Sequence, residues 1–310
     1  MATINFIWNG KDDVVPENTT SYHLGATSGH MSPPGYTETW TGVNLRYSPG
    51  TGYGYPTGGA IHSWSLKQTG TTFSFSMTGL NHKVTSGTSY ETLISDLMAG
   101  RDDWHGNAGN NYFYWSAGGD TYHGGVGIDT LDSLGFSKAL IIGNKPNFTR
   151  SGEVIALTAT GDLDVTLNSV ERLRFKEVSV ALDLNGNAGA AARIVGAVFG
   201  RDQIKSKDLV GIAIGLLDSG MAPLELTRIA LDVKLGDNYT HAALVNLVYK
   251  NVTNTAPSAL DMQLYGSMLD KGQFTGAELT WAAAASTTNA ATIDLTGLST
   301  TGLDYLPWLG

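Results

Sequence analysis

Polar and apolar positions change rhythm twice along this chain. From residue 1 to about 95, short runs with apolar residues near every second position alternate with Gly, Pro, Thr and Ser clusters. The clearest is Ile61-His62-Ser63-Trp64-Ser65-Leu66, then Gln68-Thr69-Gly70 as a turn, then Phe73-Ser74-Phe75-Ser76-Met77. A period of two predicts antiparallel strands with one wet face, and His62 falls on one strand face in that alternation. Residues 47–56 hold too much Gly and Pro for regular structure. Residues 90–99 read as a short helix.

After Asp183 the apolar spacing becomes helical and stays so through Ala285. Within it lies an echo. Ala191–Phe199 is matched by Ala242–Tyr249, and Leu217-Asp218-Ser219-Gly220 by Leu269-Asp270-Lys271-Gly272, an offset of 269 − 217 = 52 residues. Two similar helical units are expected to pack as one small bundle, each Leu-Asp-x stretch ending on a left-handed Gly.

Between these regions, residues 97–132 divide without gaps into four nonapeptides. Position four is Gly100, Gly109, Gly118 and Gly127; position six is Asp102, Asn111, Asp120 and Asp129; position eight is Trp104, Phe113, Tyr122 and Leu131. This is the Gly-Gly-x-Gly-x-Asp-x-U-x pattern of the calcium-binding parallel β-roll. Six residues make a turn whose glycines allow unusual backbone angles and leave carbonyls free; three make a strand whose large residue points inward. Two nonads close one coil, so equivalent turns should stack 18 residues apart. Asp102 should then face Asp120 across one Ca²⁺, and Asn111 should face Asp129 across a second, weakened by the charge Asn111 lacks. Carboxylate and carbonyl oxygens suit this hard cation, whereas Zn²⁺ or Cu²⁺ would want imidazoles or thiols at those positions. Each filled site should add about 2.7 kcal/mol of folding free energy at 100-fold excess over its dissociation constant. Extracellular calcium is high enough for that; resting cytosol is not.

Charge and composition narrow the function. Lys+Arg 19 against Asp+Glu 28 gives −9, which argues against a nucleic-acid partner. Charged residues are 15% against roughly 25% in an average domain, and the 39 glycines and many Thr, Ser and Asn carry the polarity instead. The absence of Cys removes disulfides, thiolate zinc sites and cysteine nucleophiles together. The N-terminal sequence has no basic segment followed by an apolar stretch, so no Sec signal peptide is expected, and no run is long enough for a membrane span.

With the nonads in place, the chain resembles RTX-type (hemolysin-type calcium-binding repeat) proteins of bacterial type I secretion. The likeness continues through Gly124–Leu131, Val170-Glu-Arg-Leu-Arg-Phe175 and Ala181-Leu-Asp-Leu-Asn-Gly-Asn-Ala-Gly189, the order of a roll-to-helix junction. The helical repeat is similar to the DUF4214 domain found beside such rolls and on surface-layer-like proteins. Two departures stand out: the first nonad lacks its opening glycines, and Gly200-Arg-Asp-Gln203 replaces the usual Arg-x-Pro-Asp turn. The resemblance implies an uncleaved C-terminal secretion signal, and residues 286–310 carry Asp294 and Asp304 with no Lys or Arg.

The expected fold is therefore α+β and multidomain: an antiparallel β domain of unknown role at 1–95, the calcium roll and flanking strands at 96–185, a helical domain at 186–285 and a tail at 286–310. No His-Glu-x-x-His, Gly-x-Ser-x-Gly or phosphate-cradling Gly-x-x-x-x-Gly-Lys motif is present, so an enzyme is not expected. The expected function is that of an extracellular or cell-surface structural protein. Calcium locks the roll, and the protein then self-assembles into a filament, surface layer or biofilm matrix. Its partners would be other copies of itself, joined by heterologous contacts at open sheet edges, and the type I secretion machinery. An alternative is a monomeric adhesin that stacks Tyr47, Tyr53 and Tyr55 on a cell-surface glycan. A third is haem or metal capture by His23, His30, His62, His82, His105 and His123, although His105 and His123 hold the ninth nonad position, where they would stack on the roll.

Overall fold

The computed structural model describes residues 3–7, 21–24, 28–32, 36–46, 56, 58–68, 74–78, 80, 82–84, 90–116, 118–143, 146–158 and 164–308. The aromatic loop at 47–55, Thr69-Gly70 of the expected turn, and Phe73 lie outside them. The chain separates into two compact units, Met1–Glu171 and Arg172–Gly310. Strands and helices are both present, with the helices mostly in the second unit. Among the described residues, no helix is long and apolar enough to cross a membrane.

In the first unit, β1 (Thr3–Ile7), β2 (Ser21–Leu24), β3 (Ser28–Ser32), β4 (Tyr36–Arg46), β5 (Gly58–Gln68), β6 (Ser74–Thr78) and β7 (His82–Val84) precede helix α1 (Tyr90–Leu97). Three-residue strands follow at β8 (Asp103–His105), β9 (Tyr112–Tyr114), β10 (Thr121–His123) and β11 (Thr130–Asp132). Then come α2 (Lys138–Ile141), β12 (Thr149–Ser151), β13 (Val154–Leu157) and β14 (Val165–Asn168). Among the described residues one twelve-stranded sheet runs β12-β13-β14-β10-β8-β1-β6-β5-β4-β3-β2, with β7 also on β5. β1 joins two kinds of pairing, antiparallel to β6 and parallel to β8.

The N-terminal hairpin forms as the alternation predicts, with Trp64 opposite Met77 and Lys67 opposite Ser74. Strict alternation fails between Ile61 and Trp64. Ile61 and Trp64 are both buried although they stand three apart. The register explains this: Thr41 pairs Ser63 while Gly42 pairs Ile61, so His62 is an extra, exposed residue that bulges out and resets which face the strand buries. His62 is thus a bulge residue and does not belong to either alternating face. Around the bulge, Trp40 stacks on Trp64 at 5.2 Å, and the Trp64 indole N–H donates to the buried Glu38 carboxylate at 2.6 Å.

The second unit opens with β15 (Arg172–Arg174) and β16 (Ser179–Ala181), followed by α3 (Asn187–Phe199), a 3-10 turn at Arg201–Lys205 and α4 (Lys207–Asp218). Next are α5 (Pro223–Leu235), α6 (His241–Thr253), α7 (Ala259–Asp270), α8 (Gly276–Ala284), α9 (Thr287–Thr292), α10 (Leu295–Thr301) and β17 (Leu303–Tyr305). α3 is rich in Ala and Val and buried on nearly every side, with α4, α5, α6 and α8 packed around it. The 52-residue echo is exact for one helix pair, since α4 and α7 both begin and end 52 apart (259 − 207 and 270 − 218). Gly220 and Gly272 follow these helices at φ +96° and +65°, the positive-φ stop that the sequence implies. Capping boxes at Ser258/Asp261 and Thr275/Glu278 set the starts of α7 and α8.

Residues 286–308 are an integral part of this unit. Leu303 and Tyr305 are buried, β17 pairs β16, and the Leu306 N–H donates to the Lys207 carbonyl on α4. Gly211 of α4 permits that approach, because a Cβ there would meet the Leu306 carbonyl oxygen at 1.8 Å.

Candidate metal centre

The nonads wind as parallel strands at an 18-residue offset. β8 pairs β10 with Trp104 opposite Tyr122, and β9 pairs β11 with Phe113 opposite Leu131. All four of these position-eight residues are essentially buried. Trp104 stacks on Tyr122 at 5.8 Å, and Phe113 meets the Tyr122 ring edge-on at 5.6 Å. β14 adds a further parallel strand to β10, with Thr166 opposite Thr121.

The turns superpose with the same offset. Gly118 lies over Gly100 so tightly that a Cβ at Gly118 would fall 1.6 Å from the Gly100 carbonyl oxygen, and both residues have positive φ, +126° and +112°. Gly127, at φ +145°, lies likewise over Gly109, with 2.6 Å from its Cβ position to the Gly109 oxygen. Gly109 itself is outside the left-handed region. Gly118→Ala is expected to cost about 2 kcal/mol through backbone strain and overlap. Its melting temperature should fall while Gly109→Ala, which meets only the Asn107 side chain at 3.2 Å, stays near wild type; equal losses in differential scanning fluorimetry would contradict the stacking.

Position six forms a ladder. Asp102, Asn111, Asp120 and Asp129 are all buried, at 3, 2, 0 and 0% exposure. Each pair is linked by a backbone amide: the Asp102 N–H donates to Asp120 Oδ1 at 2.8 Å, and the Asn111 N–H to Asp129 Oδ1 at 2.6 Å. The side chains within each pair differ in what they do. Asp120 Oδ2 accepts from the Ser116 hydroxyl and lies 3.3 Å from the Tyr122 hydroxyl. Asn111 is engaged within its own turn, its Oδ1 accepting from the Asn107 N–H and its amide donating to Asn107 Oδ1. Asp129 Oδ2 is buried without a hydrogen-bond partner.

The ladder also takes in Glu171. Its carboxylate accepts from the Asp129 N–H at 2.8 Å, and its own N–H donates to the Asp129 carbonyl. Glu171 stands 42 residues after Asp129 in the chain, because α2 and the β12–β13 hairpin interrupt the repeat, so no nonad spacing points to it.

Burial pushes the Asp129 carboxyl up to about 6, against the opposing hydrogen bond from the Asn111 amide. Burial also raises Asp120, opposed in part by Ser116, the Asp102 amide, Tyr122 and the Arg101 charge. The native state therefore holds these protons to higher pH than the unfolded chain, whose carboxyls titrate near 3.8. In metal-free protein their contribution to stability is complete below about pH 4 and is lost as pH rises through the raised native values, about 6 for Asp129. Thermal melts in chelator should show unit 1 losing stability from pH 4.5 to 7, and saturating calcium should flatten that slope.

On the strands beside these turns, a second group of side chains converges. His105 and His123 stack in parallel with ring centroids 4.5 Å apart and an 8° interplanar angle. The Asp103 carboxylate meets both rings, Oδ2 at 3.1 Å from His105 Nε2 and Oδ1 at 2.8 Å from His123 Nε2. His23 and His30 occupy paired positions on β2 and β3, and His82 pairs Ile61 across β7 and β5. Comparison with family models, with curated proteins and with solved structures finds no match to this chain.

Proposed function

We propose that the stacked turns of residues 97–132 bind Ca²⁺, and that the protein is an extracellular structural protein that orders and self-assembles when it meets calcium outside the bacterial cell. The observation that carries this reading is the Asp129 carboxylate: fully buried, raised in pKa by that burial, and left with one oxygen that no protein donor meets. Such a group is costly in isolation and is well served by a hard cation. Asn111 would share that site with Asp129, Asp102 and Asp120 would form the other, and the glycine-rich backbone at Gly100, Gly109, Gly118 and Gly127 would add carbonyl oxygens, as the RTX-like reading implies. Glu171 extends the acidic ladder beyond the repeat.

Self-assembly draws its support from the first unit's surface. Leu134, Phe136 and Leu140 are 60, 52 and 56% exposed within seven residues of chain, an apolar cluster that a second copy would cover. Light scattering on chelator-treated protein, with calcium added back and micrographs at each step, tests both parts. Calcium-dependent growth into regular polymers is expected. Added calcium that changes neither ordering nor melting temperature would remove the calcium reading, and ordering without growth would remove the assembly alone.

A further inference from the structure

We infer that Asp103, His105 and His123 form a site for a divalent first-row transition ion, with Zn²⁺ as the ion to test. The site is chemically separate from the calcium turns. Asp103 and His105 flank the inward-pointing Trp104 on β8, so both emerge on the opposite face. The 18-residue parallel register then brings His123 of β10 directly over His105. The convergence is a product of the winding, and one ligand atom from each of the three residues lies within 4.8 Å of the others.

Three features suit a cation here. Two imidazole nitrogens and one carboxylate are the donors that Zn²⁺ prefers, and Ca²⁺ does not. Donor atoms around tetrahedral Zn²⁺ at bond lengths of about 2.0–2.1 Å stand about 3.3 Å apart, close to the 3.1 and 2.8 Å between Asp103 and the two rings. Asp103 Oδ1 is also shielded from solvent and accepts no well-aligned hydrogen bond although His123 Nε2 is its neighbour, an arrangement that an ion between them would satisfy.

An outer partner is in place as well. Asn168 on β14 lies with its amide 3.1 Å from His123 Nδ1. With the Asn168 oxygen turned to that nitrogen it would accept the Nδ1 proton and leave the Nε2 lone pair for the metal. His105 and His123 are each about one-third exposed, which leaves a coordination position open to water.

The test is Zn²⁺ titration by calorimetry of full-length protein in saturating calcium, so that the turns are filled and the result is independent of their affinity. One equivalent is expected for wild type, lost in His105→Ala/His123→Ala. Asn168→Ala should retain the equivalent with about 10-fold weaker affinity. Co²⁺ in place of Zn²⁺ should give visible d–d absorption that the double variant lacks, and far-UV circular dichroism establishes that the variant is folded. If the variant is misfolded, His123→Gln serves in its place. Absence of zinc binding, or one equivalent retained by a folded double variant, would overturn the assignment. Failure of the calcium reading would show instead as an unchanged melting temperature on adding calcium, with zinc binding unaffected.

Discussion

Asp129→Asn protein should melt in chelator at or above the wild-type temperature, yet lose one site's share of the stabilisation that calcium confers. Asparagine keeps the Oδ1 acceptor for the Asn111 N–H, at 2.6 Å in the native chain, and removes a charge that burial makes unfavourable near neutral pH. Without metal the exchange therefore relieves the fold. In the proposed calcium site it would delete an anionic ligand, and at 100-fold excess over the dissociation constant one such site would be worth about 2.7 kcal/mol. For a unit of 171 residues that is a difference of about 5–10 °C. Asp120→Asn combined with Asp129→Asn should abolish the calcium response. Differential scanning calorimetry with chelator and with calcium makes the comparison. A variant lowered equally in both conditions would mean that the carboxylate is only scaffold.

Arg172→Ala should strongly destabilise the second unit. The guanidinium is 4% exposed and meets Asp218 through Nη2 at 2.8 and 2.9 Å, with Nη1 on Asp183. Burial alone would lower its pKa, but the Asp183 and Asp218 charges outweigh burial and hold it above the usual value. Asp218 closes α4 and also accepts from the Asn187 amide; Asp183 accepts from the Ala188 N–H at the start of α3. One cation thus ties β15 to two helix ends. Its removal leaves two carboxylates without their counter-charge, at a cost of about 3–5 kcal/mol. Arg172→Lys should recover only part, because an ammonium cannot make the two-pronged contact. Urea unfolding followed at 222 nm, where the helices of this unit dominate, reads the effect directly; a loss below about 1 kcal/mol would show that the network does little for stability.

These residues also show how far sequence reasoning reaches. The period of nine, with Gly at four and a large residue at eight, contains the parallel offset of 18, since only that offset keeps Trp104 and Tyr122 on one inward face. Spacing also marks the ends of α4 and α7, because Gly after Leu-Asp-x has a conformational reason to stop a helix. The bulge at His62 is hidden, as it arises from pairing with Thr41 and Gly42 on another strand. Glu171 is hidden by the insertion that separates it from its ladder. The helical echo is underread too: α5 and α8 extend it to three helices per unit, but neither carries a shared word such as Leu-Asp-x-Gly. Asp103 is unremarkable as a seventh-position residue, and its importance appears only once two imidazoles are seen against its carboxylate.

The double allegiance of β1 has a consequence for how the first unit is handled. Residues 3–7 lie between β6 and β8, strands that begin about 70 and 100 positions further along the chain. Truncating the first seven residues would remove the seam from the middle of the twelve-stranded sheet and leave a strand edge bare on each side of the gap. The nonad strands would then be parted from the Trp40–Trp64 hairpins, although every residue of both halves was still present.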